Sequence, residues 1–415
     1  RPRDRDLLIE HLHRVQDTYG CLRAAHLQAL AAEMQLSMAE VYEVASFYAH
    51  FDIVLDGESP PPPVTVRVCD SLTCAVSGGD TLLESLPGKL GADVRVVRAP
   101  CMGRCDTAPV AEVGHRHVDH ADSDSIATVV QSGHHHPEIP EHIRFDAYVK
   151  GGGYTLLRNC LDGTRSVDDV IGAMEDSRLR GLGGAGFPAG RKWHFVRQEA
   201  GPRLVAVNAD EGEPGTFKDR YHLERDPHRF LEGMLIAAWA VDAEAVYIYL
   251  RDEYPAVNKI LREAISDLER AGLNGDRTIY LRRGAGADIC GEESAMQGGI
   301  EGERGLARHQ APLPSQVGRV GRPPRVDNRA ARDGGGAAPP PPPRGFVGED
   351  PPQHTKKKKK KKHKKKHSPP QQPPKTPPPP PPPPRTQTPS AGTKPTHKLT
   401  TTPPHTTKKN QKKNM

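Results

Sequence analysis

Apolar residues at the start of the chain recur every three or four positions. They run with this spacing from Leu8 to Tyr19, which predicts an amphipathic helix. Ser37 and Glu40 then form a capping-box pattern ahead of another helical stretch that reaches Tyr48. The segment GESPPPP at 57–63 ends this region, because glycine and proline interrupt helices. We therefore expect a bundle of three helices over residues 1–56.

The pattern then changes to short runs that are typical of strands. VTVRV at 64–68 and VRVVRA at 94–99 each predict a strand, and the helix-like TLLESL lies between them. This order predicts a small α/β unit over residues 64–132.

A second and larger α/β region follows. LVAVNADEGEPGTFKDR at 204–220, AVYIYL at 245–250 and TIYLRR at 278–283 each begin as an apolar strand. Between the first two strands, Asp226 and Pro227 provide an N-cap and a first-turn proline for a helix. The alternation of strands and helices predicts a doubly wound sheet over residues 150–330, and the fold class is α/β.

Four of the seven cysteines form two tight pairs. Cys69 and Cys74 are separated by four residues, and Cys101 and Cys105 by three. Two such pairs can close on one metal centre. Zinc bound by four thiolates is one interpretation. An iron-sulfur centre is the favoured one, because the cysteines follow predicted strands, where backbone amides can donate to cluster sulfides.

A glycine-rich stretch, RGLGGAGFPAG at 180–190, precedes the larger sheet. Glycines lack side chains, so main-chain amides in such a loop can approach a phosphate closely. By itself this is weak evidence, because a similar loop can be a hinge. The polar side chains that follow the strand at 204–209 strengthen the interpretation as a phosphate-binding loop. Open α/β sheets bind ligands at the carboxyl ends of their strands.

These motifs resemble two known families. Residues 5–130, with Cys-x4-Cys and Cys-x3-Cys, resemble the 24 kDa [2Fe-2S] subunit of respiratory complex I, a thioredoxin-like fold. Residues 172–328 resemble its 51 kDa flavin subunit through RGLGGAGFPAGRKW, NADEGEPGTFKDR, YLRDEYP and GAGADICGEESA. Both modules on one chain are similar to the β subunit of NAD-dependent formate dehydrogenases. The diaphorase subunit of NAD-reducing hydrogenases and the flavin subunit of complex I are the alternatives.

The resemblance implies the cofactors and their ligands. A [2Fe-2S] cluster would be held by Cys69, Cys74, Cys101 and Cys105. Phe187 and Glu213 would face NAD(H), with Glu213 disfavouring the 2′-phosphate of NADPH. The implied FMN pocket is lined by Gly181, Gly183, Gly184, Gly186, Lys192, Asn208, Asp210, Glu211, Tyr249, Asp252, Glu253 and Asn328. The implied activity is hydride transfer between NAD(H) and FMN, with electrons passing to iron-sulfur clusters in partner subunits of a larger redox complex.

The chain also departs from the family. Leu182, Asp288 and Asp327 replace a frequent arginine, a usual aromatic residue and an expected asparagine. The family's Cys-x2-Cys-x2-Cys signature for a [4Fe-4S] cluster is absent, since no cysteine follows Cys290. We therefore expect a shortened version of such a subunit that keeps diaphorase chemistry. The competing hypothesis is a non-enzymatic relay that keeps only the [2Fe-2S] cluster.

Charge is distributed unevenly along the chain. The formal net charge is +6, but residues 351–415 carry 18 lysines and arginines and no acidic residue. The remaining 350 residues therefore have 40 basic against 52 acidic side chains, a balance of −12. We expect residues 332–415 to be a disordered tail rich in proline and lysine, and nucleic-acid binding is disfavoured.

The sequence has no apolar run long enough for a membrane span and no signal-peptide pattern, so we expect a cytoplasmic protein. His115, His117, His120 and the run at 134–136 favour solvated histidines over a metal site.

Overall fold

The computed structural model describes residues 4–181 and 186–308, together with the backbone of residues 325–326. Three helices begin the fold: α1 (Leu8–Tyr19), α2 (Ala24–Met34) and α3 (Met38–Phe47). Two short parallel strands, β1 (Leu22–Arg23) and β2 (Ile53–Val54), close this bundle. The predicted capping box is confirmed, because Ser37 Oγ accepts from the backbone N–H of Glu40 at 3.2 Å. The Glu40 carboxylate accepts in return from Ser37 N at 2.9 Å.

The second region is a four-stranded mixed sheet with helices. Its elements are β3 (Val64–Cys69), α4 (Leu72–Val76), α5 (Gly79–Leu90), β4 (Val94–Ala99), β5 (Ala111–Val113), β6 (Arg116–Val118) and α6 (Ser123–Ser132). The strand order is β4-β3-β5-β6, with β3 and β4 parallel and the other pairs antiparallel. Its core packs Val66 and Val68 of β3 against Leu86 and Ile126 of the helices.

Three helices connect this unit to the larger sheet: α7 (Phe145–Lys150), α8 (Thr155–Leu161) and α9 (Val167–Asp176). A buried carboxylate, Glu232, fastens the first two of these helices to the next region. It accepts from Tyr148 Oη at 2.6 Å and from the backbone N–H of Tyr154 at 2.9 Å.

The larger sheet is parallel throughout, in the order β10-β7-β8-β9. Its elements are α10 (Ala189–Gln198), β7 (Arg203–Ala209), α11 (Lys218–Leu223), α12 (Pro227–Ala240), β8 (Ala243–Leu250), α13 (Pro255–Arg270), β9 (Thr278–Arg283), α14 (Glu293–Ile300) and β10 (Arg325–Val326). Asp226 caps α12 by accepting from Arg229 N at 3.3 Å, and Pro227 stands in the first turn, as predicted.

The two faces of this sheet are covered by different parts of the chain. Side chains of a strand alternate between faces. Val246 and Ile248 of β8 accordingly pack with α12 and α13, whereas Tyr247 and Tyr249 pack with α1, α3 and α14. Both faces are covered, as a doubly wound sheet requires. The second layer, however, comes largely from the N-terminal bundle, which the sequence pattern predicts as a separate domain at 1–56.

The predicted domain boundaries, at 1–56, 64–132 and 150–330, stay predictions. The predicted tail at 332–415 lies outside the described residues. Within the described part of the chain, no helix combines the length and apolar character that crossing a bilayer requires.

Candidate functional site

The loop after β7 carries the first group of predicted site residues. Asn208 Nδ2 donates to the carbonyl of Gly291 at 2.9 Å, and Asn208 Oδ1 accepts from Asp210 N at 3.0 Å. A Cβ on Gly291 would lie only 2.9 Å from the carbonyl oxygen of Asp210. The loop after β7 is therefore packed tightly against the turn that precedes α14, at the carboxyl edge of the sheet.

Asp210 is the electrostatically unusual residue of this loop. Its Oδ2 is buried, and among the described residues no hydrogen-bond partner reaches it. Burial, with the nearby carboxylate of Glu253, raises the pKa of Asp210 to about 7, and Arg251 only partly opposes this. A carboxyl group with this environment changes its protonation state near neutral pH.

Glu211 and Glu213 have different environments although they are two residues apart. Glu211 is buried, and its Oε2 accepts from Tyr254 Oη at 3.1 Å and from Asp219 N at 3.0 Å. Glu213 is exposed, and its backbone carbonyl accepts from the N–H of Thr216 at 3.1 Å to close a turn. Glu211 thus holds the loop in place, whereas the Glu213 carboxylate is accessible to a ligand.

The loop after β8 is organised by Arg251, which is 2% exposed. Its guanidinium donates to Glu253 at 3.1 Å and to the backbone carbonyls of Glu211 and Cys101. One side chain therefore joins the loops after β7 and β8 to the cysteine-bearing unit. Glu253 lies within this network.

The side chains of Tyr249 and Asp252 are buried against other parts of the chain. Tyr249 is 1% exposed and lies between the sheet and the bundle, so close to Gly299 that a Cβ there would lie 2.9 Å from the Tyr249 hydroxyl. Asp252 accepts from Arg283 Nε and contacts His50 Nδ1, both at 2.5 Å. Burial opposes its ionisation, but His50 and Arg283 hold the pKa of Asp252 well below its usual range. These two predicted flavin-site residues thus contact other parts of the chain.

The glycine-rich loop closes on itself just before α10. Gly181 N donates to the carbonyl of Phe187 at 3.0 Å, and Arg180 donates to the carbonyl of Gly186 at 3.0 Å. Gly186 has a φ of 61°, a conformation that favours glycine. Because α10 leads directly into the parallel strand β7, its first turn lies toward the carboxyl edge of the sheet.

Lys192 lies near the start of α10 and is 8% exposed. The Phe187 ring packs at 6.2 Å from the Phe195 ring. Five residues singled out in the sequence lie outside the described residues: Leu182, Gly183, Gly184, Asp327 and Asn328.

The four paired cysteines come together at one end of the smaller sheet. Cys69 ends β3, Cys74 lies in α4, and the thiol of Cys69 contacts those of Cys74 and Cys101. The Sγ atoms of Cys101 and Cys105 are 3.5 Å apart. Contact with Cys69, together with burial, raises the pKa of the Cys101 thiol. All four cysteines are free thiols.

Backbone amides also converge on these thiols. Gly103 N donates to Cys101 Sγ at 3.4 Å, and Gly215 N donates to Cys105 Sγ at 3.1 Å. Four clustered thiols with N–H donors match the donor set of an iron-sulfur cluster. The amide of Gly215 comes from the loop that carries Glu211 and Glu213.

A second set of contacts joins the cysteine loop to the larger sheet. Arg220 Nε donates to the carbonyl of Gly103 at 2.9 Å, and the same guanidinium contacts Asp106 at 2.5 Å and Glu224 at 3.0 Å. A Cβ on Gly103 would lie 2.2 Å from the hydroxyl of Tyr254, so only glycine fits this approach. The two candidate sites are therefore held side by side.

Comparison with protein families gives each region a description. Residues 1–134 match the thioredoxin-like [2Fe-2S] ferredoxin family, and residues 174–328 match the Nuo51 FMN-binding domain. The chain joins these two domains. The match accounts for the predicted FMN and [2Fe-2S] cofactors.

Individual relatives match over part or most of this chain. The chain is 48% identical over 191 residues to an NADH-quinone oxidoreductase subunit of Aquifex aeolicus, covering 44% of each protein. It is 34% identical over 367 residues to the NAD-reducing hydrogenase HoxS subunit alpha of Cupriavidus necator, covering 78% of this chain and 60% of that one.

A solved structure, an NAD+-reducing [NiFe]-hydrogenase in its air-oxidised state, matches with 30% identity and a TM-score of 0.64, over 79% of this chain and 59% of that one. The chain spans about two fifths to three fifths of the length of these proteins.

Sequence reasoning missed the residues that connect the two domains. Arg220, Arg251 and Tyr254 all lie inside the motifs TFKDR and YLRDEYP, but the pattern of the sequence assigned them no role. Their function depends on contacts more than 100 positions away, such as Arg251 with Cys101. A buried arginine beside a predicted ligand loop is the signal that could have indicated them.

Proposed function

We propose that the chain is the NADH-oxidising, or diaphorase, module of a larger redox complex. The single observation that supports it most is the hydrogen bond from Gly215 N to Cys105 Sγ at 3.1 Å. It joins a candidate cluster ligand to the loop that carries the predicted NADH and flavin residues. Electron transfer between a nicotinamide site and a cluster requires this proximity.

The proposed binding role of each residue follows from the environment of its side chain. The glycine-rich loop and Lys192 would receive the flavin phosphate and ring, with Asn208 and Asp210 at the sheet edge. FMN, when bound, supplies the ability to accept two electrons together and to pass them on singly. The residues of this edge would hold the nicotinamide beside the flavin and exclude water.

Glu213 is proposed to select the nicotinamide nucleotide. Its exposed carboxylate can accept hydrogen bonds from ribose hydroxyls and would repel a 2′-phosphate. Phe187, whose ring is half-buried against Phe195, would offer an aromatic face to the base or nicotinamide. NADH is therefore the proposed substrate in preference to NADPH.

The structural residues Arg251 and Arg220 keep the cluster loop against the flavin loops. Both are buried, and both donate to carbonyl oxygens of the cysteine loop, at Cys101 and Gly103. Because a guanidinium offers several donors in a fixed plane, each fixes orientation as well as distance. They would keep the distance between a cluster on the cysteines and a flavin at the sheet edge constant.

The names of the relatives indicate which class of complex the chain would join. The names of the similar proteins are NADH-quinone oxidoreductase and NAD-reducing hydrogenase, which supports a partner complex of that class. The β subunit of an NAD-dependent formate dehydrogenase, favoured by the sequence motifs, stays a prediction. In each case the proposed partners are catalytic and iron-sulfur subunits.

The test is an anaerobic optical titration of the full chain after reconstitution with iron, sulfide and FMN. We expect flavin absorption that bleaches on addition of NADH and much less with NADPH. Glu213→Gln should reduce the preference for NADH, whereas Glu84→Gln on the exposed face of α5 should leave it unchanged. A retained flavin that NADH does not bleach would contradict the proposal. A cluster spectrum without any retained flavin would favour the relay hypothesis.

A further inference from the structure

A cluster of ionisable side chains lies where three parts of the fold meet, away from the cysteines. His13 lies on α1, His50 follows α3, and Asp252 follows β8. One donor atom from each lies within 4.8 Å of the others. The three side chains are almost completely buried, at 3% exposure for His13 and 8% for the other two side chains.

The surroundings of His13 leave one ring nitrogen available. Its Nε2 contacts the carbonyl of Gly284 at 2.7 Å, so this nitrogen must carry the proton and donate it. Nδ1 is then an acceptor, and it is buried without a hydrogen-bond partner in the described part of the chain. A buried imidazole with one nitrogen fixed by a backbone carbonyl and the other unused is typical of a metal-ligating histidine.

Asp252 is likewise oriented by a neighbour. Arg283 donates to Oδ1 of this carboxylate and also contacts Asp17 at 2.9 Å. His50 Nδ1 lies 2.5 Å from Oδ2. Asp17 also faces His115 at 3.8 Å, and this contact raises the pKa of His115. The carboxylate of Asp252 would be the one anionic ligand of a bound cation.

We propose that His13, His50 and Asp252 form a binding site for one divalent transition-metal ion of the zinc class. Two imidazoles and one carboxylate are borderline ligands, which favour Zn²⁺, Co²⁺, Ni²⁺ or Fe²⁺ over Mg²⁺ or Ca²⁺. Three protein ligands leave a fourth tetrahedral position for water.

The site would connect the bundle to the catalytic edge. Its ligands come from α1, from the segment after α3 and from the loop that also holds Arg251 and Glu253. A bound ion would therefore fix the position of this loop relative to the bundle. The proposal does not depend on the diaphorase proposal, because none of the three ligands contacts the cysteines or the glycine-rich loop in the described structure.

The test uses the full chain with its [2Fe-2S] cluster loaded, so that the four thiols are occupied. After mild chelation, the protein is dialysed against Zn²⁺, and zinc is measured per chain together with its X-ray absorption spectrum. We expect one zinc ion per chain with nitrogen and oxygen neighbours, an imidazole scattering pattern and no sulfur. His13→Gln and His50→Gln should each weaken binding more than the roughly 10- to 100-fold that loss of a second-shell partner costs.

His134→Gln is the matched control, because His134 is exposed and remote in sequence from the ligands. It should leave zinc binding unchanged. The proposal is overturned if the wild-type chain binds no stoichiometric zinc, if its zinc has sulfur neighbours, or if a folded His13→Gln or His50→Gln protein binds as the wild type does. The X-ray absorption spectrum of zinc in the wild-type protein tests the proposal even if a variant fails to fold.

Discussion

The helical bundle and the cysteine-bearing half of the [2Fe-2S] domain contact the FMN-binding domain in opposite ways. The bundle shares a hydrophobic core with the parallel sheet, in which Leu12 and Val44 pack in one cluster with Tyr249 and Met296. Among the described residues, the cores of the unit at 64–132 contain none from the FMN-binding domain. Its contact is instead polar, through Arg220 and Arg251.

The apolar contact and the polar contact therefore have different roles. Burial of apolar side chains is strong but non-directional, so it serves to join parts that fold together. Hydrogen bonds from guanidinium groups to fixed carbonyls are directional, so they set the orientation of one part against another. We infer that the bundle folds with the FMN-binding domain, while the polar contact places the four paired cysteines relative to the loops after β7 and β8.

The largest expected effect comes from removing Arg251. Arg251→Ala leaves Glu253 and two buried carbonyls without their donor, and loss of a buried charged partner costs about 3–5 kcal/mol. Urea unfolding of the chain should show this loss. Arg225→Ala is the control, because its exposed guanidinium donates to Tyr221 one helical turn away, and its effect should stay within about 0.5 kcal/mol. Equal effects of the two substitutions would contradict the orienting role of Arg251.

Leu12→Ala tests the shared core. Leu12 is completely buried, so its truncation should reduce the free energy of unfolding by about 3 kcal/mol. Hydrogen exchange followed by mass spectrometry should show lost protection in both the bundle and β8. Leu82→Ala in the smaller core should reduce protection in 64–132 alone. If Leu12→Ala affected only residues 1–56, the bundle would be an independent domain.

Asp210→Asn should change how stability depends on pH. Because folding raises the pKa of Asp210 to about 7, the folded state retains the proton that the unfolded chain loses near pH 4. The stability that this proton contributes is complete below pH 4 and is lost as the pH rises through 7. The variant should therefore match the wild type at low pH and exceed it by about 2 kcal/mol at pH 8, a value reduced for partial solvent access.

The measurement is urea unfolding of the chain without FMN between pH 5 and 8.5. Glu84→Gln, on the exposed face of α5, provides the control series. A constant difference between Asp210→Asn and the wild type across this range would show that the carboxyl does not titrate there.

Ser37→Ala should have the smallest effect on stability of the four substitutions. Loss of the N-cap of α3 should cost about 1 kcal/mol, because the N–H of Glu40 loses its acceptor. Hydrogen exchange should register the loss in the bundle and β8 together, as for Leu12→Ala. Asp122→Ala removes the corresponding cap of α6 and should affect only the unit at 64–132. If the two variants gave identical exchange patterns, the bundle and the unit at 64–132 would not differ in how they contact the FMN-binding domain.

Local patterns determined much of the fold. The capping box at Ser37 and the N-cap at Asp226 depend on residues three positions away, so they could be predicted from the chain alone. The strands at 64–69, 203–209, 243–250 and 278–283 were indicated by apolar runs, and the Cys pairs by their spacing. Each of these features is encoded within a short window, where side-chain type and backbone preference agree.

The tertiary structure alone decided which predicted residues share an environment. Glu211 and Glu213 look alike in sequence, yet one is buried on Tyr254 and the other is exposed. Asp252 stands in a flavin-family motif but is held by His50 and Arg283. The bundle, which ends about 150 positions before the sheet begins, covers one of its faces. Such outcomes depend on burial and charge contributed by distant segments, which the local pattern of a sequence does not contain.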